Sequence, residues 1–177
     1  MAPTKRAAII AALATVFFAL DQASKWYAMD YLALAAHCPP GGPCFGHVHD
    51  VVPPYLRFVM AWNEGINFGL FSGGAPVLRH GLTAFAVIVG LGFLIYAAGR
   101  GGAGLALGAA MTAGGAFGNA YDRMAYGYVA DFLNMSCCGF ENPWSFNVAD
   151  IAIFIGALGL IFLSGEAQKE SAKSDAS

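Results

Sequence analysis

Gly-Gly-Ala-Phe-Gly-Asn-Ala-Tyr-Asp-Arg, from Gly114 to Arg123, ends an apolar run rich in glycine and alanine with an asparagine, an aspartate and an arginine. Gly114 and Gly118, like Gly104 and Gly108 before them, have the four-residue spacing that lets two membrane helices approach closely. A carboxylate at the end of such a run is costly, so a functional site is its first reading. Two further segments repeat the pattern, Val129-Ala130-Asp131-Phe132 and Phe146-Asn147-Val148-Ala149-Asp150. Asp122, Asp131 and Asp150 are therefore three candidates, any two of which could form an acid-base pair.

The whole chain has the composition of a membrane protein. Of its 177 residues 58% are hydrophobic and 11% charged, against about 25% charged in soluble domains, and mean hydropathy is +0.58. A net charge of -2 with no basic cluster excludes a nucleic-acid partner. Residues 7–27, 81–98, 103–121 and 147–164 each approach the ~20 apolar residues that cross a bilayer. Lys5 and Arg6 precede the first span, Arg100 sits between the second and third, and Lys169 and Lys173 follow the fourth. The positive-inside rule then puts both termini in the cytoplasm and the connections 28–80 and 122–146 outside, although Arg57, Arg79 and Arg123 weaken the bias. The first span also resembles a cleavable signal peptide, with Ala33-Leu34-Ala35 as its cleavage site. That site lies far beyond Leu20, and Trp26, Tyr27, Met29, Tyr31 and Leu32 between them read as an interfacial helix end.

The outer connections suggest a small sheet. Residues 37–56 read as a Pro- and Gly-rich loop holding His37, Cys38, Cys44, His47 and His49. For its cysteines a bridge from Cys38 to Cys44, a bridge to Cys137 or Cys138, free thiols or a metal site are all open, although the zinc spacing is lacking. From Tyr55 onward β-branched and aromatic residues predict a strand, a turn at Asn63-Glu64-Gly65 and a second short strand, together spanning about 55–72, with Gly73-Gly74-Ala75-Pro76 ending the segment. The expected architecture is an all-α membrane protein with four transmembrane helices and this outer-face β-sheet. It forms one domain over residues 1–165, followed by a charged, disordered cytoplasmic tail over 166–177.

The polar residues each have a structural reading beside the functional one. Asp21 and Lys25 are four apart and can form an ion pair on the first helix. Asn119 can bind a neighbouring helix or a ligand. Asn147 and Asp150 have the spacing of a helix N-cap and its reciprocal acid, at a helix end whose dipole favours a carboxylate. Asp131, placed at the outer end of the third span, should share the depth of Asp150 and can face it. Two carboxyls that approach closely cannot both ionise comfortably, so one holds a proton while the other stays charged. Such a pair can activate a water and polarise a peptide carbonyl. The histidines lie in or at the end of the first loop, which leaves no compelling Ser/His or Cys/His alternative. Competing functions are a proton-coupled transporter, in which intramembrane acids relay ions, and an assembly factor built on the small-residue faces.

Five blocks in order then point to a family. Asp21-Gln22-Ala23-Ser24-Lys25, Asn63-Glu64-Gly65 with Phe68-Gly69, Gly118 to Arg123, Val129 to Phe132 and Phe146 to Asp150 together resemble the lipoprotein signal peptidases, or bacterial signal peptidase II. The resemblance implies an aspartic endopeptidase of the bacterial plasma membrane, multi-pass, with its site near the outer face and an outer β-cradle. It would remove signal peptides from diacylglyceryl-modified prolipoproteins, cutting before the lipidated cysteine, as a monomer among membrane lipids and without metal or organic cofactor. The resemblance makes Asp131 and Asp150 the catalytic pair. It gives Asp21, Lys25, Asn63, Gly65, Asn119, Asp122, Arg123 and Asn147 supporting or substrate-holding places, with Arg123 free either to hold substrate carbonyls or to pair with Asp122. Asn67, where the family often has alanine, and the long insert from His37 to His49 depart from the pattern.

Overall fold

The computed structural model describes residues 3–42, 44, 47–65, 76–100 and 102–174, with side chains up to residue 162. The elements run α1 (Pro3–Trp26), a π turn (Tyr27–Tyr31), a 3-10 turn (Leu34–His37), β1 (Val48–Val52), β2 (Leu56–Asn63), α2 (Pro76–Gly99), α3 (Ala103–Ala125), β3 (Val129–Met135) and α4 (Val148–Ser174). It is mostly helical, with one small sheet.

Helix α3 is the hub, and its composition explains why. It packs on α1, α2 and α4, and most of its inward residues are glycine or alanine. A Cβ at Gly115 would lie 2.5 Å from the carbonyl oxygen of Ala149 in α4, and one at Gly114 would lie 2.5 Å from the carbonyl oxygen of Ala14 in α1. Towards α2 the relation is reversed, since Gly90 there receives the ring of Phe117. Gly108 likewise meets Gly156 of α4. The small-residue spacing therefore serves close packing against two neighbours at once, which pays for itself in van der Waals contact between backbones.

The outer surfaces of the other helices are apolar. Phe85, Ile88 and Ile95 on α2 and Phe154, Ile161 and Phe162 on α4 are each at least 66% exposed. Large exposed apolar faces of this kind suit lipid. By length and composition Pro3–Tyr31 and Pro76–Gly99 can each cross a membrane, and Val148–Phe162 is a shorter apolar helix. The third expected span is less apolar because its side chains face protein on most sides.

The sheet differs from expectation in where its strands come from. Its order is β1-β2-β3, antiparallel throughout. Val48–Val52, read above as part of a loop, is a strand, its valines pairing antiparallel along β2. The other partner is β3, supplied by the distant second connection, with Ala61 opposite Asp131 and Asn63 opposite Val129. The second strand expected near residues 66–71, with Asn67 and the Phe68-Gly69 motif, lies outside the described residues. Helix α4 continues to Ser174, through much of the stretch read as disordered, where Glu, Ala, Gln and Lys are good helix formers. Cys38 and Cys44 are joined in a disulfide, while Cys137 and Cys138 are free and exposed. That bridge engages the two loop sulfurs that a metal would need.

Candidate active site

Asp131 lies on β3, six positions beyond the end of α3 and within the second outer connection. The strand buries it to 2% exposure. Asp150 is in the first turn of α4, half-buried. One residue joins them. The Asn147 Nδ2 group donates to Asp131 Oδ1 at 2.6 Å. The Asn147 backbone N–H donates to Asp150 Oδ2 at 3.2 Å, and the Asp150 N–H returns a bond to Asn147 Oδ1 at 3.0 Å. This is the reciprocal capping arrangement, with Asn147 as cap and the acid three residues on. The structural and functional readings of Asp150 thus coexist, since the cap sets where the carboxyl points.

The remaining oxygens are also held by amides. Asn63 Nδ2 donates to Asp131 Oδ2 at 3.0 Å, and Asn119 Nδ2 donates to Asp150 Oδ1 at 2.9 Å. Asn119 Oδ1 in turn accepts from Asn147 Nδ2 at 3.1 Å. Burial, and then the charge of Asp150, push the Asp131 carboxyl up to about 7, against the opposing bonds from Asn63 and Asn147. Asp131 is therefore a carboxyl that can carry a proton close to neutral pH, with the Asp150 carboxyl beside it.

Behind the pair lies a buried charge cluster. Lys25 Nζ donates to Asp21 Oδ2 at 2.8 Å and stands 2.7 Å from Asp122 Oδ2. It also reaches Asn119 Oδ1 at 3.2 Å. Asp21 and Asp122 are fully buried and Lys25 is 1% exposed. Each acid also holds a backbone N–H just ahead of one member of the pair. Asp21 Oδ1 accepts from Ala149 at 2.9 Å, and Asp122 Oδ2 accepts from Ala130 at 3.1 Å. One ammonium thereby ties α1 and α3 to the backbones that carry Asp131 and Asp150. Gly118 has no Cβ because Asp21 occupies that space.

Sequence reasoning saw the Asp21–Lys25 pair but not that Lys25 is shared with Asp122. It also gave no role to Gln22, whose Nε2 donates to Asp21 Oδ2 at 3.1 Å and Asp122 Oδ1 at 3.0 Å. The available signal was that Asp21, Gln22 and Lys25 sit together on the last turns of one helix. Arg123 does not pair with Asp122, as neighbours on a helix point apart. Its Nη1 instead donates to the Asn119 carbonyl at 3.2 Å, and its buried Nε–H has no acceptor among the described residues. Gly65 sits against this guanidinium, where a Cβ would lie 3.4 Å from Nη2 and collide with Leu82. Its N–H donates to Asn63 Oδ1 at 2.7 Å, so the turn orients Asn63 toward Asp131. Among the described residues, no three His, Cys, Asp or Glu side chains gather as metal ligands.

The helices with apolar surfaces thus surround a pair of carboxyls held by amides. Comparison with known proteins gives the family. A sequence profile described as signal peptidase (SPase) II matches residues 13–165. A lipoprotein signal peptidase of Methylorubrum extorquens is 37% identical over 159 residues, covering 88% of this chain and 84% of the relative. One of Pseudomonas syringae pv. tomato is 33% identical over 153 residues, covering 84% and 80%. A solved structure described as a bacterial membrane enzyme, determined by the in meso method at 2.3 Å resolution, shares the fold with a TM-score of 0.68 at 22% identity, over 92% of this chain and 91% of its own. The chain belongs to the signal peptidase II family, and it is a peptidase.

Proposed function

We propose that this chain is an aspartic endopeptidase that removes signal peptides from diacylglyceryl-modified prolipoproteins, cleaving before the lipidated cysteine, with Asp131 and Asp150 as the catalytic pair. The observation that carries this reading is the bonding of both carboxyls to Asn147, one through its side-chain amide and the other through its backbone N–H. In the reaction, a water attacks the scissile carbonyl carbon while one carboxylate takes its proton. The protonated partner hydrogen-bonds the carbonyl oxygen and then transfers its proton as the tetrahedral intermediate forms. Return of a proton to the leaving nitrogen breaks the C–N bond. Because the pair shares its proton, its titration belongs to both residues. Arg123, whose buried Nε–H has no acceptor among the described residues, supplies a donor for a substrate backbone carbonyl.

The remaining residues position this machinery. Asn63, Asn119 and Asn147 hold the carboxyl oxygens, Gly65 admits Arg123, and Asp21, Lys25 and Asp122 fix the backbones behind them. The reading places all four helices across the plasma membrane as a monomer, both termini cytoplasmic, with the sheet and the pair near the outer face. A lipid-anchored substrate then meets the site by lateral diffusion, its acyl chains remaining in the bilayer, where their burial is worth ~0.8 kcal/mol per CH₂. A transporter would leave the reciprocal amide bonds to both acids without a use. The test is cleavage of one precursor with and without its diacylglyceryl group by the purified enzyme. Only the modified form is expected to be processed, and efficient cleavage of the unmodified form would contradict the reading.

A further inference from the structure

The connection that joins β3 to α4, residues 136–147, ends on Asn147, the residue bonded to both carboxyls. Apart from a turn closed by Cys137 and Phe140, its backbone pairing is confined to Phe146. The Phe146 N–H donates to the Leu133 carbonyl at 2.9 Å, and its carbonyl accepts from Leu133 at 2.8 Å and from Phe132 at 3.0 Å. The stretch before Phe146 is held mainly by one side chain of β3. Asn134 Nδ2 donates to the carbonyl of Asn142 at 2.8 Å and to that of Trp144 at 3.0 Å. Its Oδ1 accepts from Ser136 Oγ at 3.2 Å, and the same hydroxyl oxygen accepts the Asn142 N–H at 3.1 Å. Ser145 Oγ adds a bond to the Val59 carbonyl of β2 at 2.9 Å. Both donor hydrogens of the buried Asn134 amide and its oxygen are thus engaged, and a fully bonded buried amide holds its partners rigidly.

Alternation along β3 sets the sides. Asn134 lies three residues from Asp131, so the two side chains project from opposite faces of the strand. Asn142 and Trp144 are bound on the Asn134 face, Phe146 pairs at the strand edge, and Asn147 bonds Asp131 on the other face. The chain therefore wraps the edge of β3 opposite β2. One paired residue at the crossing fixes a position but leaves the incoming direction open, and the Asn134 amide supplies that direction. We infer that Asn134 is a positioning residue for the carboxyl pair, holding residues 142–144 so that Asn147 meets Asp131 and Asp150 together. The inference rests on the endopeptidase reading, and Asn134 itself touches neither carboxyl. Its effect passes through Asn147, whose bond opposes the upward push of burial and of Asp150 on the Asp131 carboxyl. With Asn147 seated loosely that opposition weakens, so Asp131 keeps its proton to higher pH, and a misaligned pair turns over more slowly.

The test is the pH profile of kcat/KM for the purified full-length enzyme on a diacylglyceryl-modified precursor, with thermal unfolding recorded alongside. Asn134→Ala should move the falling limb of the profile upward by about half to one pH unit, the equivalent of one hydrogen bond. It should also lower kcat roughly tenfold or more with little change in KM. Ile10→Ala is the control for stability alone, since Ile10 is buried in the core formed by the four helices. That variant should lower the thermal midpoint and leave the limb in place. If Asn134→Ala does not fold, Asn134→Ser carries the comparison, because one hydroxyl can donate to only one of the two carbonyls. A limb that stays at the wild-type pH in the folded Asn134 variant, or that moves equally in Ile10→Ala, would overturn the inference and leave the endopeptidase reading intact. Failure of wild type to cleave the modified precursor would overturn that reading and the role of Asn134 with it.

Discussion

Asp131 is buried on β3, and burial together with the charge of Asp150 pushes its carboxyl up to about 7. Below that value it is protonated, and in the proposed mechanism this proton polarises the scissile carbonyl. Above it the pair loses that proton. Cleavage is therefore expected to fall as pH rises through about 7, and a pH profile of kcat/KM with modified substrate would show it; a rate still rising well above this point would contradict the assignment. Stability follows the same sign. A carboxyl raised from 3.8 favours the folded state most below its unfolded value, and this contribution is lost as pH rises through about 7. Lys25 is the second test at this scale. Lys25→Met leaves Asp21 and Asp122 buried without their cation, a loss of about 3–5 kcal/mol. A marked drop in the thermal midpoint, partly reversed by adding Asp21→Asn and Asp122→Asn, is the expected result. An unchanged midpoint would mean that the cluster contributes nothing to the fold.

At the scale of elements, much of the site could be read in the sequence because each key acid sits in a compact motif with its own helix end or strand. The cap at Asn147 and the ion pair at Asp21 are local relations, set by separations of three and four residues. The sharing of Lys25 with Asp122, the β-pairing of Ala61 with Asp131 and the recruitment of Val48–Val52 into the sheet are not local. Nothing in spacing reports them, and they depend on how the elements dock. The glycines of α3 control that docking. Gly115→Leu should drive α4 away at Ala149, beside Asp150, at a cost of about 1–3 kcal/mol for overpacking, and should reduce cleavage as well. Gly92→Leu is the control, as nothing lies within 4 Å of its Cβ position. Comparable unfolding midpoints for the two variants would argue against close α3–α4 packing as the device that sets the pair.

For the whole molecule, an apolar exterior and a polar, buried interior near one end of the helices are arranged oppositely to a water-soluble enzyme. Membrane character was legible in composition alone, whereas the placement of polar groups inside and the modest hydropathy of the central helix follow from its burial among the other three. The order of the three acids also required more than spacing, since family resemblance singled out Asp131 and Asp150 and the structure then joined both to Asn147 while Asp122 bound Lys25. The most direct measurement compares purified wild type, Asp131→Asn and Asp150→Asn on a diacylglyceryl-modified precursor, with thermal unfolding of each as a check on folding. Both variants should fold and insert yet lose cleavage; full activity in either would contradict a catalytic pair formed by these two residues.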